Sequence, residues 1–227
     1  MGSYRRTTLV YFTRTHKEMT GKQGEKPSAE KIKAAVIDWL LDRHSNILIG
    51  NEVMYGSKRK VVDLLAIIDS KTIAIEIKSA SDKLIRLPEQ MEEYSRIFDK
   101  IVIIAAPTHI SNISKVCKKG VGLYSIDKTI KRIHAPLLNH NLDKLEMLSS
   151  ISSAYLKKMY PHHKALNENE LRLLLSKEKK EVIHQLLISF YQNRLSEKFS
   201  LFLSERGNQT LVDDIPTLST FTLVDEF

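Results

Sequence analysis

Asp63, Glu76 and Lys78 are the residues whose types and spacing could do chemistry. Glu76 and Lys78 stand in "TIAIEIKS", an apolar β-like run in which an unpaired buried charge would be costly. Side chains alternate along a strand, so Ile73, Ile75 and Ile77 face one way and Ala74, Glu76 and Lys78 the other. Asp63 stands in the preceding run, "VVDLLAIID". A hairpin turning at Ser70 and Lys71 sets Asp63 opposite residue 78, within reach of Lys78 and Glu76. Two carboxylates and an ammonium at one end of a hairpin suit a hard divalent cation such as Mg²⁺, which takes a few oxygen ligands and keeps several waters. A metal to polarise a phosphate and acidify water, with a fixed positive charge beside it, supplies the parts of phosphodiester hydrolysis. The same three charges also make an ordinary salt bridge on a strand.

Positioning such a cluster takes a sheet with helices around it, and the order of elements supplies one. From Ser28 to about Arg43, Ile32, Ala35, Val36, Trp39 and Leu40 recur at helical spacing behind a Ser28 cap. "NILIGNEVMYG", "VVDLLAIID" and "TIAIEIKS" suit a three-strand antiparallel meander. Pro88 opens a helix to about Phe98. "KIVIIAAP" is a continuous apolar run of the kind a buried parallel strand shows. A short helix over 111–118 and the strand "VGLYSID" follow, giving α-β-β-β-α-β-α-β. Beyond His134 the pattern is helical throughout. The expected organisation is an N-terminal arm (1–27), a core (28–135), a helical appendage (136–207) and a loose acidic tail (208–227). The expected class is α/β with a mixed sheet.

Asp63, a twelve-residue gap, then Glu76-Ile77-Lys78, in this order of elements, resembles the PD-(D/E)XK nucleases, the restriction-endonuclease-like superfamily, over residues 28 to about 126. Val62 replaces the leading Pro of the motif. The resemblance implies an αβββαβ core and a metal held by Asp63, Glu76 and the main-chain carbonyl of Ile77. Glu30 shares a helical row with Ala34, Ile37 and Leu41. Superfamily members often complete the metal shell with a first-helix Glu; without that likeness Glu30 is a first-turn acid favoured by the helix dipole. Gln90 and Tyr94 sit one helical turn apart, where some superfamily branches place a Gln and a Tyr beside the catalytic lysine. Read without it, they are an exposed Gln and a core Tyr. More narrowly, "EIKS", Asp82, Arg86-Leu87, Gln90 and Tyr94 look like a small bacterial family within the superfamily.

Lys and Arg number 35 against 27 Asp and Glu, a net charge of +8 that favours a polyanionic partner. Lys58, Arg59 and Lys60 lie in the turn before the Asp63 strand. Lys83 and Arg86 precede a helix N-terminus, which itself attracts phosphate. These residues, with Tyr94, are the expected nucleic-acid contacts, and Arg5, Arg6 and Arg14 suggest a basic arm. The C-terminal stripe Leu171, Leu174, Leu175, Ile183, Leu186 and Leu187 reads as packing on the core. A single cysteine, Cys117, excludes an internal disulfide and fits a reducing cytoplasm. No apolar run approaches a membrane span, and no GxxxxGK[ST] loop occurs.

The expectation is a Mg²⁺- or Mn²⁺-dependent nuclease acting on DNA without tight sequence reading. Asp63 and Glu76 hold the metal, Lys78 orients or stabilises the nucleophile, and Glu30 and Gln90 assist. The alternative is a non-catalytic nucleic-acid-binding or assembly protein on the same fold. A homodimer, or a protein partner met by the C-terminal helices or tail, is open beside either.

Overall fold

Residues 27–219 are described by the computed structural model; Arg5, Arg6, Arg14 and the end of the acidic tail lie outside the described residues. The Ser28 side chain accepts from the Lys31 N–H at 3.3 Å and starts α1, Ala29–Leu41. A meander follows: β1 (Ile47–Tyr55), β2 (Lys60–Ile68) and β3 (Lys71–Lys78). Then come α2 (Leu87–Ser95), β4 (Lys100–Ala105), α3 (Pro107–Val116), β5 (Gly122–Ile126) and β6 (Ile130–His134). The six strands form one mixed sheet in the order β1-β2-β3-β4-β5-β6, parallel only at β3–β4 and β4–β5. The α/β class and the α-β-β-β-α-β order are as expected.

Three elements differ from expectation. The second helix ends at Ser95 and the third starts at Pro107, where a proline's missing N–H costs nothing. Strand β6 has no apolar run to announce it: four of its five residues are exposed.

Two backbone features set the position of Asp63. Asp69 and Ser70, with φ of 50° and 56°, form the tight turn between β2 and β3, matching the twist of the strands. The register pairs Leu64 with Ile75 and Ile68 with Lys71. Continued one step, it sets Asp63 level with Glu76, not with residue 78, because the turn lies one residue earlier than Ser70–Lys71.

The second feature is at Glu52. The β1–β2 ladder pairs Asn51 with Leu64 and Val53 with Val62, and Glu52 between them has a φ of 50°. A non-glycine residue in this left-handed region costs roughly 1–2 kcal/mol. Ile49 packs on the α1 face, while Val53 and Tyr55, which strict alternation would put beside it, pack on the other. Leu64 and Val62 divide in the same way. Both strands thus roll over where Glu52 and Asp63 stand.

After the sheet the chain is helical: α4 (Lys144–Ser149), α5 (Ser153–Met159), α6 (Glu168–Leu175) and α7 (Lys180–Glu205). Leu171, Leu175, Ile183, Leu186 and Leu187 are buried in one cluster with Val62, Leu65, Met91 and Ile103 of the sheet and α2, as the apolar stripe implied, whereas Leu174 is only half-buried and outside that cluster. Helix α7 serves both faces. Leu195 belongs to that cluster, whereas Phe199 and Phe202 pack with Ile32, Ile37, Ile75 and Ile77 on the α1 face. It crosses β1 so closely that a Cβ on Gly50 would stand 2.5 Å from Leu195 Cδ2.

The chain beyond 208, expected to be loose, is built in as far as it is described. Val212–Leu218 is a 3₁₀ helix with Ile215 and Leu218 buried on the α1 face. Asp38 of α1 accepts from the Thr210 N–H and hydroxyl and from Arg206 at 2.6 Å, fixing the approach.

Candidate active site

Parallel strands β3 and β4 leave a crevice beyond their carboxyl ends, where α/β sheets commonly take ligands. There a cavity of about 660 Å³ is lined by Glu30, Lys33, Glu52, Asp63, Glu76, Ile77, Lys78 and Gln90, with Lys60, Asp82 and Arg86. Both carboxylates, the lysine, the Ile77 main chain, Glu30 and Gln90 thus share one concavity.

Glu76 is 2% exposed and meets three donors. Its Oε1 accepts from Lys78 Nζ at 2.6 Å and Gln90 Nε2 at 2.7 Å, and its Oε2 from the Tyr94 hydroxyl at 2.5 Å. Strand alternation brings Lys78 to Glu76, and the i, i+4 spacing on α2 brings Gln90 and Tyr94 there together. Lys78 also reaches Gln90 Oε1, at 3.4 Å. Burial and the Glu76 charge push the Tyr94 phenol well above its ordinary value, so it stays a donor at any working pH.

Asp63 is held differently. Its Oδ2 accepts from the Ile77 N–H at 2.7 Å, and among the described residues no hydrogen bond reaches Oδ1. Burial and the neighbouring Glu76 carboxylate push its pKa from 3.8 up to about 6, opposed by the Ile77 N–H and by the charges of Lys33 and Lys78. An acid pair this short of positive charge, with one carboxylate oxygen open, fits a divalent cation. Mg²⁺ is commonly held by one or two carboxylates and waters. Among the described residues no three His, Cys, Asp or Glu side chains gather closely enough to form a metal cage. Glu30, exposed on the first turn of α1, shares the cavity without closing such a group.

The expected nucleic-acid contacts divide. Tyr94 is a correction: it has no exposed surface, and its hydroxyl serves Glu76. Lys58 and Lys60 are paired with α2, at 3.0 Å and 2.9 Å from Glu93. Arg59 and Lys83 are exposed but do not line the cavity, whereas Arg86 is exposed and does. Lys33 and Glu52 are on the cavity wall without having been expected. Glu52 is turned there by its left-handed backbone, which no glycine signals. Lys33 shares with Ile32, Val36 and Ile37 the buried side of α1, and helical spacing could have flagged it as a charge on an apolar face.

Fold and site together define an α/β protein with a mixed six-stranded sheet and a carboxylate–lysine cluster at the carboxyl end of its central parallel pair. The chain belongs to the bacteriophage P4 protein cII family, whose model matches residues 22–219. It is 28% identical over 204 residues to protein cII of Enterobacteria phage P4, covering 84% of this chain and 77% of that one. A solved structure, SPO1766, a protein of unknown function from Silicibacter pomeroyi, is similar at 14% identity and a TM-score of 0.40, covering 68% of this chain and 94% of that one. Among the described residues no helix is long and apolar enough to cross a membrane.

Proposed function

We propose that this chain is a metal-dependent nuclease of the PD-(D/E)XK kind, hydrolysing phosphodiester bonds in DNA in the cytoplasm. The observation that carries this reading is the convergence of Asp63, Glu76 and Lys78 on one open cavity, with Asp63 left short of positive charge. Asp63, Glu76 and the Ile77 carbonyl would hold Mg²⁺ or Mn²⁺. Such an ion polarises a phosphate oxygen and lowers the pKa of a bound water. Glu30 stands where it could orient that water from the α1 side.

The chain's own residues do the rest. Three donors fill three of the four lone-pair positions of Glu76, which leaves one, on Oε2, for a metal. The Lys78 ammonium lines the cavity, where it would stabilise charge on the phosphate in the transition state. Gln90 bridges Glu76 and Lys78 and holds the two together. Arg86 and Lys60 on the rim suit the strand's backbone.

One observation favours a second reading. Lys78, Gln90 and Tyr94 already satisfy Glu76 within the fold, as a structural ion pair in a non-catalytic nucleic-acid-binding or assembly protein would. Incubation with labelled single- and double-stranded DNA and RNA, with Mg²⁺, Mn²⁺ or EDTA, separates the two. The nuclease reading expects metal-dependent cleavage that Lys78→Ala and Asp63→Ala abolish with nucleic-acid affinity retained. Absence of cleavage from the wild type in every arm overturns it.

A further inference from the structure

Lys33 is 6% exposed, and its one ion-pair partner among the described residues is Glu52, at 3.4 Å. That is long for a charge-assisted hydrogen bond, which runs about 2.7–2.9 Å. The two partners are unequally held. The Lys33 side chain is 8% exposed, its stem fixed in the wall of the cavity, whereas that of Glu52 is 54% exposed and free to swing into water. Glu52 faces the cavity because its backbone is in the left-handed region. Such strain persists only where the surroundings impose it, and it gathers at sites of function.

A buried ammonium whose paired carboxylate can swing away is open to another anion. The ligand that suits this place is a phosphodiester oxygen. We propose that Lys33 is a phosphate-binding residue of the cavity, and that Glu52 is the counter-ion it exchanges for the nucleic-acid backbone. Lys33 then grips the strand from the α1 wall, across from Lys78 on β3, and Glu52 keeps the ammonium paired while the cavity is empty. This deepens the nuclease reading and needs of it only that nucleic acid enters the cavity.

The test is binding of a short fluorescein-labelled DNA duplex and its single strand, by anisotropy in EDTA, over a series of salt concentrations. A lysine that meets a phosphate contributes about 0.9 to the slope of log affinity against log salt on duplex, and about 0.7 on single strand. Lys33→Met is expected to weaken binding severalfold and lower the slope by that amount, and Lys33→Arg to restore it. Glu52→Gln is expected to tighten binding severalfold, and to lose that gain when combined with Lys33→Met, which removal of a negative charge alone would not do. Lys131→Met, on exposed β6, controls for general loss of positive charge and should leave the slope in place.

A wild-type slope in Lys33→Met overturns the proposal. Should that variant unfold, Glu52→Gln decides: unchanged or weaker binding overturns it. Binding without cleavage removes the nuclease reading and leaves Lys33 in its role. Cleavage by a Lys33→Met protein with wild-type slope removes Lys33 and leaves the nuclease. Failure of the wild type to bind either DNA overturns the proposal as well.

Discussion

The two ends of β3 carry buried carboxylates in opposite conditions. At the amino end Asp99, 2% exposed just before β4, accepts from the Thr72 N–H at 2.8 Å, the Thr72 hydroxyl at 3.0 Å and His184 Nε2 at 2.9 Å. These partners outweigh burial, which acts to raise it, and hold the carboxyl below its ordinary value. At the carboxyl end Asp63 has one N–H, an open oxygen and a carboxylate for a neighbour, and its pKa stands near 6. The same sheet gives one acid three donors, all on Oδ2, and leaves the other with a single donor beside a second carboxylate. Asp99 ties α7 to the sheet and stabilises the fold. A carboxylate whose pKa the fold raises costs stability at neutral pH, and shifts of this kind gather at functional sites.

The sharpest way to break that contrast is at Asp63. Asp63→Asn keeps an oxygen for the Ile77 N–H and removes the charge. On the nuclease reading, cleavage should fall by about a thousandfold, because Asp63 would be a ligand to the catalytic cation. The same variant should gain about 3 kcal/mol of stability at neutral pH, from removal of a carboxylate whose pKa the fold has raised by about two units. Cleavage rate and denaturant midpoint, measured on one preparation, check both. An Asp63→Asn protein that cleaves normally, or that loses stability, would place Asp63 in the same class as Asp99.

Asp99→Ala should do the reverse. It strands the Thr72 N–H and hydroxyl and His184 in the interior, at a cost of about 3 kcal/mol. In a protein of this size that lowers the melting temperature by roughly 10 °C. Cleavage below the melting range should be little changed.

Acid titration separates the two by the pH at which each effect fades. The raised Asp63 pKa means the folded state holds that proton more readily, so its penalty is full above about pH 6 and is relieved as pH falls towards 3.8. Asp99, with a lowered folded pKa, contributes stability above the ordinary carboxylate value and loses it as pH falls through that lowered value. Near pH 7 the wild type should be about 3 kcal/mol less stable than Asp63→Asn, a difference that shrinks below pH 6. The Asp99→Ala difference should persist there and shrink only below about pH 4.

What the sequence made legible follows from how local each relation is. Glu76 and Lys78 are two residues apart on a strand, and Gln90 and Tyr94 four apart on a helix, so periodicity alone puts each pair on one face. Asp63 was readable as a partner but not in its register, because a turn at Asp69–Ser70 and one at Ser70–Lys71 differ by a single residue. The roll at Glu52 has no glycine to betray it, and so Lys33 and Glu52 were absent from the expected site. The Asp99–His184 contact spans 85 positions between the residue before β4 and a distant helix, and no local pattern encodes it. The 3₁₀ helix at Val212–Leu218 was hidden by its acidic, Pro-containing sequence. Its two buried residues, Ile215 and Leu218, are too few to form a period.

Tyr94 offers the finest test, because it belongs to both conditions. Its hydroxyl satisfies Glu76 as Thr72 and His184 satisfy Asp99, yet the acid it serves is at the unsatisfied end of β3. If Tyr94 only stabilises, Tyr94→Phe should cost about 1 kcal/mol, leaving Glu76 Oε2 one donor short, with cleavage unchanged once folding is accounted for. If it positions a metal-binding carboxylate, cleavage should also fall by up to about tenfold, as supporting groups of metal ligands do when removed. The concentration of Mg²⁺ at half-maximal cleavage should then rise. The metal titration decides, because a loss of packing alone would lower the amount of active protein without moving that midpoint. A raised midpoint assigns the α2 helix, through Tyr94 and Gln90, to holding Glu76 in its ligating position, and an unmoved one assigns Tyr94 to the core.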